Sequence, residues 1–298
     1  MQNSNFKAGF VSIIGKPNVG KSTLMNKILG EKLSITTYKA QTTRHRIMGI
    51  LNGDNFQMVY SDTPGIIKPK YELHKSMMNF VKSSLEDADL VLWVMDINDK
   101  EEQEEVTRYL KFLKVPIILV LNKIDTLKLN EVEAELEEIS KVVPRNNIVP
   151  VSALLGTNID TLLEKIKEFL PIHPPYFDPE ELTDKSERFF ASEIIREKIF
   201  LNYSEEIPYA VEVVVNSFKE KEDIIVISAN ILVERDSQKG IIIGKNGTSL
   251  KKVGIEARTD METFFGKKVF LEQFVKVVPE WRRDKKFLER FGYIPKKS

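Results

Sequence analysis

Short apolar runs alternate with amphipathic stretches along the first 170 residues. The runs are Gly9–Ile14, Phe56–Tyr60, Leu90–Met95, Pro116–Leu121 and Ile148–Val151. Between them, apolar positions recur every three to four residues over Ser22–Leu29, Glu72–Leu85, Glu101–Leu113, Glu131–Val142 and Ile159–Leu170. Runs of the first kind predict buried strands and stretches of the second kind predict helices. Their alternation predicts βα crossovers, hence an α/β fold with helices on both faces of a mostly parallel sheet. One pair breaks the pattern. Arg46–Leu51 and Phe56–Tyr60 flank Asn52-Gly53-Asp54-Asn55, a turn sequence that predicts a tight antiparallel hairpin and so a mixed sheet.

The pattern then changes. Pro171, Pro174, Pro175 and Pro179 block helix continuation and favour an extended connector. We place a first domain over 1–172, a proline-rich linker over 173–185 and a second domain over 186–298. The second domain reads as helix (186–200), strand (209–217), strand (223–234), a turn at 244–247, helix (248–265) and strand (268–277). A short basic helix over 280–290 closes it.

Composition narrows the chemistry. The chain has 298 residues, 42% of them hydrophobic and 30% charged, enough apolar content for two cores and too much for a disordered chain. It has no cysteine, which excludes disulfides, thiolate metal sites and cysteine nucleophiles, and its histidines, His45, His74 and His173, are too scattered for a metal site. No apolar run approaches the ~20 residues of a membrane span, and the N-terminus Met1–Lys7 has no apolar signal-peptide core. The expectation is a soluble, cytoplasmic protein. The zero net charge conceals an asymmetry: residues 241–298 hold 14 basic against 7 acidic side chains, which predicts a polyanion contact in the C-terminal fifth. A merely solvated surface would carry the same charges.

Four short motifs follow strands in order. Gly15-Lys16-Pro17-Asn18-Val19-Gly20-Lys21-Ser22 fits G-x-x-x-x-G-K-[ST] between an apolar strand and a helix. Backbone N–H groups of such a loop wrap phosphates and the helix N-terminus adds positive potential. Gly15, Asn18, Val19, Gly20, Lys21, Ser22 and Thr23 are the candidate phosphate-side residues, with Lys21 bridging the β- and γ-phosphates and Ser22 on magnesium. In Asp62-Thr63-Pro64-Gly65, Asp62 is placed to hold a magnesium-bound water and Gly65 to offer its N–H to the γ-phosphate. Asp125 of Asn122-Lys123-Ile124-Asp125 presents a carboxylate to the ring N–H and exocyclic amine of guanine, a donor pair adenine lacks. The stem of Lys123 covers the base, and Ser152, Ala153 and Leu154 supply a backbone N–H for the guanine carbonyl.

A second constellation, Ile241-Ile242-Ile243-Gly244-Lys245-Asn246-Gly247, puts a G-x-x-G turn between helices. Glycines at both ends admit a phosphate backbone, and Lys245 and Lys251 add charge. Ile241 and Ile243 offer apolar surface to splayed bases. A purely structural helical corner looks much the same. In Trp281-Arg282-Arg283, the arginines reach for phosphates and Trp281 either stacks on a base or caps the core.

The four strand-end motifs resemble the G domain of Ras-like, P-loop GTPases of the translation-factor-related class. The second domain's element order and turn resemble a type II KH domain, an α+β single-stranded RNA binder. The two together, with Lys39–Arg46 and Val277–Arg283, resemble the Era-like (TrmE–Era) family of bacterial GTPases over essentially the whole chain. The resemblance implies a Ras-like fold in the first domain and GTP hydrolysis with Mg2+, Lys21, Thr43 and Gly65 carrying catalysis. It makes Thr43 the second protein ligand to magnesium, beside Ser22 and Asp62, although neighbouring Thr42 leaves the register open. It gives Asn18 a K+ ion near the phosphates; the alternative is that Asn18 only stabilises its own loop. It implies binding of GTP or GDP, the 3′ end of 16S rRNA and the 30S subunit, and a role in small-subunit assembly and rRNA maturation, without DNA. One departure stands out: where Ras-like enzymes carry a water-orienting glutamine after Asp-x-x-Gly, this chain has Ile66, so intrinsic hydrolysis is expected to be slow. A monomer is expected. The competing reading is a membrane-associated cell-cycle signalling GTPase whose basic C-terminus makes a peripheral contact with the inner face of the cell membrane.

Overall fold

The computed structural model describes residues 5–99, 101 and 103–295, so part of the N-terminal stretch considered above, Met1–Ser4, lies outside the described residues. The chain divides into two compact units, Met1–Lys70 with Met77–Asp184, and Tyr71–Ser76 with Lys185–Ser298. Among the described residues no helix is long and apolar enough to cross a membrane.

In the first unit the predicted strands and helices alternate as β1 (Lys7–Ile14), α1 (Lys21–Leu29), β2 (Ile47–Gly53), β3 (Phe56–Asp62), α2 (Glu72–Glu86, its first turn counted with the second unit), β4 (Leu90–Asp96), α3 (Glu104–Leu110), β5 (Ile117–Asn122), α4 (Leu129–Ser140), β6 (Ile148–Pro150) and α5 (Ile159–Phe169). The sheet order is β2-β3-β1-β4-β5-β6, with β2 antiparallel to β3 and every other pair parallel. The central strands read as near-continuous apolar runs because helices cover both faces. The hairpin turn falls on Asp54-Asn55, since Gly53 still pairs with Phe56. The helix expected over Glu101–Leu113 is shorter: Asp99 Oδ1 accepts the Glu101 N–H at 3.0 Å and holds that residue in a turn.

The expected linker is extended and is also pinned to the first unit. Ile50 N–H donates to the Leu182 carbonyl at 2.9 Å, and Thr183 forms a bridge with Gly49 on the open edge of β2. Gln57, fully buried, accepts the Tyr176 and Phe177 N–H groups at 2.7 and 3.0 Å and donates to the Phe177 carbonyl at 2.9 Å. Residues 173–184 therefore group with the first unit by contact.

The second unit runs α6 (Glu187–Asn202), α7 (Ile207–Ala210), β7 (Glu212–Glu220), β8 (Ile224–Val233), α8 (Asp236–Ile243), a 3-10 turn (Lys245–Gly247), α9 (Thr248–Phe265), β9 (Lys268–Val277) and α10 (Lys285–Arg290). Its sheet is β7-β8-β9, antiparallel then parallel. The strand expected from 209 starts at 212 because Pro208 opens the helical turn α7, where its fixed φ suits a first-turn position. The closing helix starts at 285, where the Asp284 side chain accepts the Lys286 N–H at 2.8 Å as an N-cap. Ile195 and Ile199 of α6 and Val253, Ala257 and Met261 of α9 cover the inward residues of β8, Ile225, Ile227, Ala229 and Ile231.

Candidate functional site

The strand order brings the C-terminal ends of β1, β3, β5 and β6 to one rim, and each nucleotide motif leaves one of those ends. Glycines shape the phosphate loop. Gly20, at φ 95°, is the N-cap of α1 and makes no side-chain cap, so the N–H groups of the first turn face the loop without a capping side chain. A β-carbon at Gly20 would meet Asn122 Nδ2 at 2.3 Å. A cleft of about 300 Å³ lies along the loop, lined among others by Asn18, Lys21, Ser22, Thr43, Gly65 and Lys123.

Lys21 is buried, its ammonium donating to the carbonyls of Gly15 and Lys16 at 3.2 and 2.8 Å. Burial lowers its pKa to about 8, against the opposing pull of the Asp62 charge. Ser22, Thr43 and Asp62 converge. Ser22 Oγ donates to Asp62 Oδ2 at 2.6 Å, the Ser22 and Thr43 hydroxyls are 2.8 Å apart, and Thr43 Oγ1 donates to Asp62 Oδ2 at 3.4 Å. Thr42 turns elsewhere, donating to the Lys39 carbonyl at 2.7 Å within its own loop. Burial raises the Asp62 pKa, opposed by the bond from Ser22 and the charge of Lys21. Asp62 Oδ1 is buried and has no hydrogen-bond partner among the described residues. A buried carboxylate with an orphaned oxygen beside two hydroxyls is an all-oxygen donor set that fits a hard divalent cation such as Mg2+.

Thr63 Oγ1 donates to the Ile13 carbonyl at 2.7 Å, which ties the Asp62–Gly65 turn to β1. Ile66 is buried, its N–H donating to the Gly15 carbonyl at 3.0 Å, so no polar side chain stands at that position. Asn18 is left-handed, φ 64°, and donates to the Tyr38 carbonyl at 3.1 Å.

Asn122 works as a brace: Nδ2 donates to the Val19 carbonyl at 2.8 Å and Oδ1 accepts the Ala153 N–H at 2.9 Å. This corrects one expectation. The Ala153 N–H is taken by Asn122 and the Ser152 N–H donates to the Thr157 carbonyl at 3.2 Å, so a backbone donor for a base carbonyl in this loop falls to Leu154. Lys123 is left-handed, φ 67°, and its ammonium sits 2.6 Å from Asp96, while Asp125 is exposed in a 3-10 turn. The Lys16 ion pair with Asp99, 3.1 Å, had no sequence signature.

In the second unit Gly244 adopts φ 72°, ψ 176°, a conformation essentially reserved for glycine, and a β-carbon there would meet Ser249 Oγ at 2.2 Å. Gly247, φ 75°, has open space around it. Lys245 and Asn246 are exposed between them, and Ile241 is half exposed while Ile243 is partly buried. A groove of about 390 Å³ runs between α9 and β9, lined by Gly247, Lys251, Gly254, Arg258, Phe270 and Gln273 among others. Gln273, whose buried amide nitrogen has no partner among the described residues, was missed; a polar residue at an inward position of β9, among Val269, Leu271 and Val275, was the available sign.

Trp281 does not stack outward. It is fully buried, its indole N–H donating to the Ala210 carbonyl at 2.9 Å and its ring edge-on to Phe291, so it caps the core. Arg282 is held by an ion pair with Glu234 and lies over the Tyr71 ring at 5.1 Å, which removes it from the solvent-facing cations. Arg283 is exposed.

A family model described as 50S ribosome-binding GTPase matches residues 10–123, and a KH domain model matches residues 206–282. GTPase Era of Geotalea daltonii is 46% identical over 296 residues, covering 98% of this chain and 100% of that protein. GTPase Era of Geobacter metallireducens is 48% identical over 300 residues, with 98% and 100% covered. A crystal structure of Era in complex with MgGDPNP and nucleotides 1506–1542 of 16S ribosomal RNA matches with a TM-score of 0.93 at 42% identity, covering 97% of this chain and 99% of that one. A variant of Aquifex aeolicus Era bound to GDP·AlF4− matches with a TM-score of 0.92 at 42% identity, with the same coverage.

Proposed function

The chain belongs to the GTPase Era family, and from that membership we propose that it hydrolyses GTP in the Lys21 cleft and takes the single-stranded 3′ end of 16S rRNA in the α9–β9 groove during 30S subunit assembly. The observation that carries the nucleotide half is the meeting of Ser22, Thr43 and Asp62 around an orphaned carboxylate oxygen. Ser22 and Thr43 would hold Mg2+ directly and Asp62 through a water; the ion supplies charge neutralisation for the β- and γ-phosphates. Lys21 adds the second fixed positive charge, and the N–H groups at the start of α1 bind the phosphate oxygens. Gly65 offers its N–H where the γ-phosphate arrives. Asp125 reads the guanine donors, Lys123 covers the ring and Leu154 meets the carbonyl.

With Ile66 buried where a polar side chain would orient water, hydrolysis depends on backbone groups, an ion or a partner. Asn18, already within 3.1 Å of the Tyr38 carbonyl, supplies with it two oxygen donors for a K+ ion once its amide turns. Support for the RNA half is the glycine-only turn at Gly244 with its exposed Lys245, and the neighbouring groove with its cations Lys251 and Arg258. Arg283 adds charge from outside the groove.

The test is the affinity of the full chain for an oligonucleotide from the 3′ end of 16S rRNA, with a non-hydrolysable GTP analogue or GDP, across a salt series. Tighter binding with the analogue and a log–log salt slope of about −0.7 per neutralised phosphate support an RNA-coupled switch. Indifference to the nucleotide refutes the coupling, and no binding refutes the RNA site.

A further inference from the structure

We propose that the solvent-facing side of β9 is a second nucleic-acid surface, on which Phe270 and Phe274 stack bases of single-stranded RNA that continues beyond the α9–β9 groove. The inference rests on the reading of that groove as a single-stranded RNA site.

β9 alternates strictly. Val269 and Val275 are buried inward, and the opposite side presents Lys268, Phe270, Glu272, Phe274 and Lys276 in line. Phe270 and Phe274 are each 51% exposed. Four residues of strand separate them by about 13 Å, so the two rings suit bases two nucleotides apart along an extended bound strand. Their cross-strand neighbours on β8 are Val226 and Asn230, and Asn230 Nδ2 is drawn sideways to Asn216 Oδ1 at 2.9 Å.

Three observations favour a nucleic acid over an apolar protein segment as the occupant. Lys268 and Lys276 bracket the rings, and neither enters an ion pair among the described residues. Aromatics interleaved with cations on a sheet face form the stacking platform used for single strands, because every base has a π-face and every link a charge. Phe270 also borders the groove, so the platform continues the groove around the sheet edge that β9 forms. A groove beside a G-x-x-G turn clamps about four nucleotides; the platform serves those that follow.

The test compares two labelled RNAs by fluorescence anisotropy with the full chain: a short one of about four nucleotides, filling the groove, and one extended by several nucleotides at each end. Phe274→Ala is expected to weaken the long RNA about tenfold, one base stack by alanine substitution, and to leave the short RNA unchanged. Phe274→Leu, which keeps the apolar bulk, is expected to match it. Lys276→Gln is expected to make the long-RNA salt slope shallower by about 0.7 and leave the short-RNA slope alone. Equal weakening of both lengths by Phe274→Leu, or of neither, overturns the platform while the groove stands. Wild-type chain that binds neither RNA overturns the groove and the platform together.

Discussion

Gly65 lies directly against the backbone of Pro17: a β-carbon on Gly65 would stand 2.7 Å from both the Pro17 N and Cα. The phosphate loop thus leaves room for a bare backbone only at the point where the Asp62–Gly65 turn meets it. Gly65→Ala is therefore expected to keep GDP binding and to slow single-turnover GTP hydrolysis by roughly a hundredfold, the order seen when one preorganised N–H donor is lost. Hydrolysis at the wild-type rate would show that this close approach is dispensable.

The buried ammonium of Lys21 makes nucleotide affinity pH-dependent. With its pKa lowered to about 8 by burial, the free protein loses the Lys21 proton above that pH, and phosphate binding must restore it. Affinity for Mg·GDP is expected to fall as pH rises past about 8, by up to about tenfold per pH unit. The stability of the nucleotide-free chain takes the opposite sign: between about 8 and the ordinary lysine pKa near 10.4 the unfolded state binds the extra proton, so this group's contribution rises with pH. Lys21→Arg, charged throughout, should flatten the calorimetric affinity profile. A slope that persists in that variant assigns the titration to another group.

Potassium should speed hydrolysis relative to sodium through Asn18 and the Tyr38 carbonyl. Asn18→Ala is expected to remove the difference between the two salts while leaving the rate in sodium unchanged. Equal wild-type rates in potassium and sodium would take Asn18 out of ion binding and leave it as a loop brace.

Asp125→Asn should move base preference from guanine to xanthine by roughly a hundredfold or more, since the site's hydrogen-bonding edge changes from acceptor-only to one with a donor. Competition between GDP and XDP for the variant measures it. Retained guanine preference would dissociate Asp125 from base recognition.

Burial of Trp281 turns an apparent RNA contact into a stability determinant. Trp281→Ala is expected to cost about 3–5 kcal/mol in denaturant unfolding of the second unit's transition. Trp281→Phe keeps an aromatic ring but loses the bond to the Ala210 carbonyl, about 1 kcal/mol, together with part of the indole's packing, and should bind RNA normally when folded. RNA binding lost in a folded Trp281→Phe chain would return the indole to the interface.

The cleft at the strand ends was legible as a candidate nucleotide site because its residues are local in sequence: Gly20, Lys21 and Ser22 sit in a fixed spacing, and each later motif follows a recognisable strand. What the sequence left open was the pairing between motifs. Neither Thr42 nor Thr43 differs in composition or neighbourhood; only the folded loop turns Thr43 to Asp62 and Thr42 to Lys39. The brace from Asn122 to Val19 and Ala153 joins segments 103 and 31 residues apart. In α6, Glu193, Arg196 and Glu197 are buried, a placement charge alone does not announce; Arg196 Nε donates to Glu193 Oε1 at 2.7 Å, and a paired charge is what burial tolerates. At Trp281, sequence alone weighs stacking and capping equally, and the deciding Ala210 carbonyl is 71 residues away.

The segment after Pro171 also redraws where the contacts of the first unit end. Residues 176–184 supply both donors to the buried Gln57 side-chain oxygen and occupy the outer rim of β2, so a chain stopped at 172 would leave that oxygen without its two donors, the amide nitrogen keeping only Asn52, and would bare the strand rim. By contact the first unit runs to Asp184, whose side chain accepts the Met48 N–H at 2.9 Å. The connector thereby fills with its own backbone a strand rim that another strand could otherwise pair with.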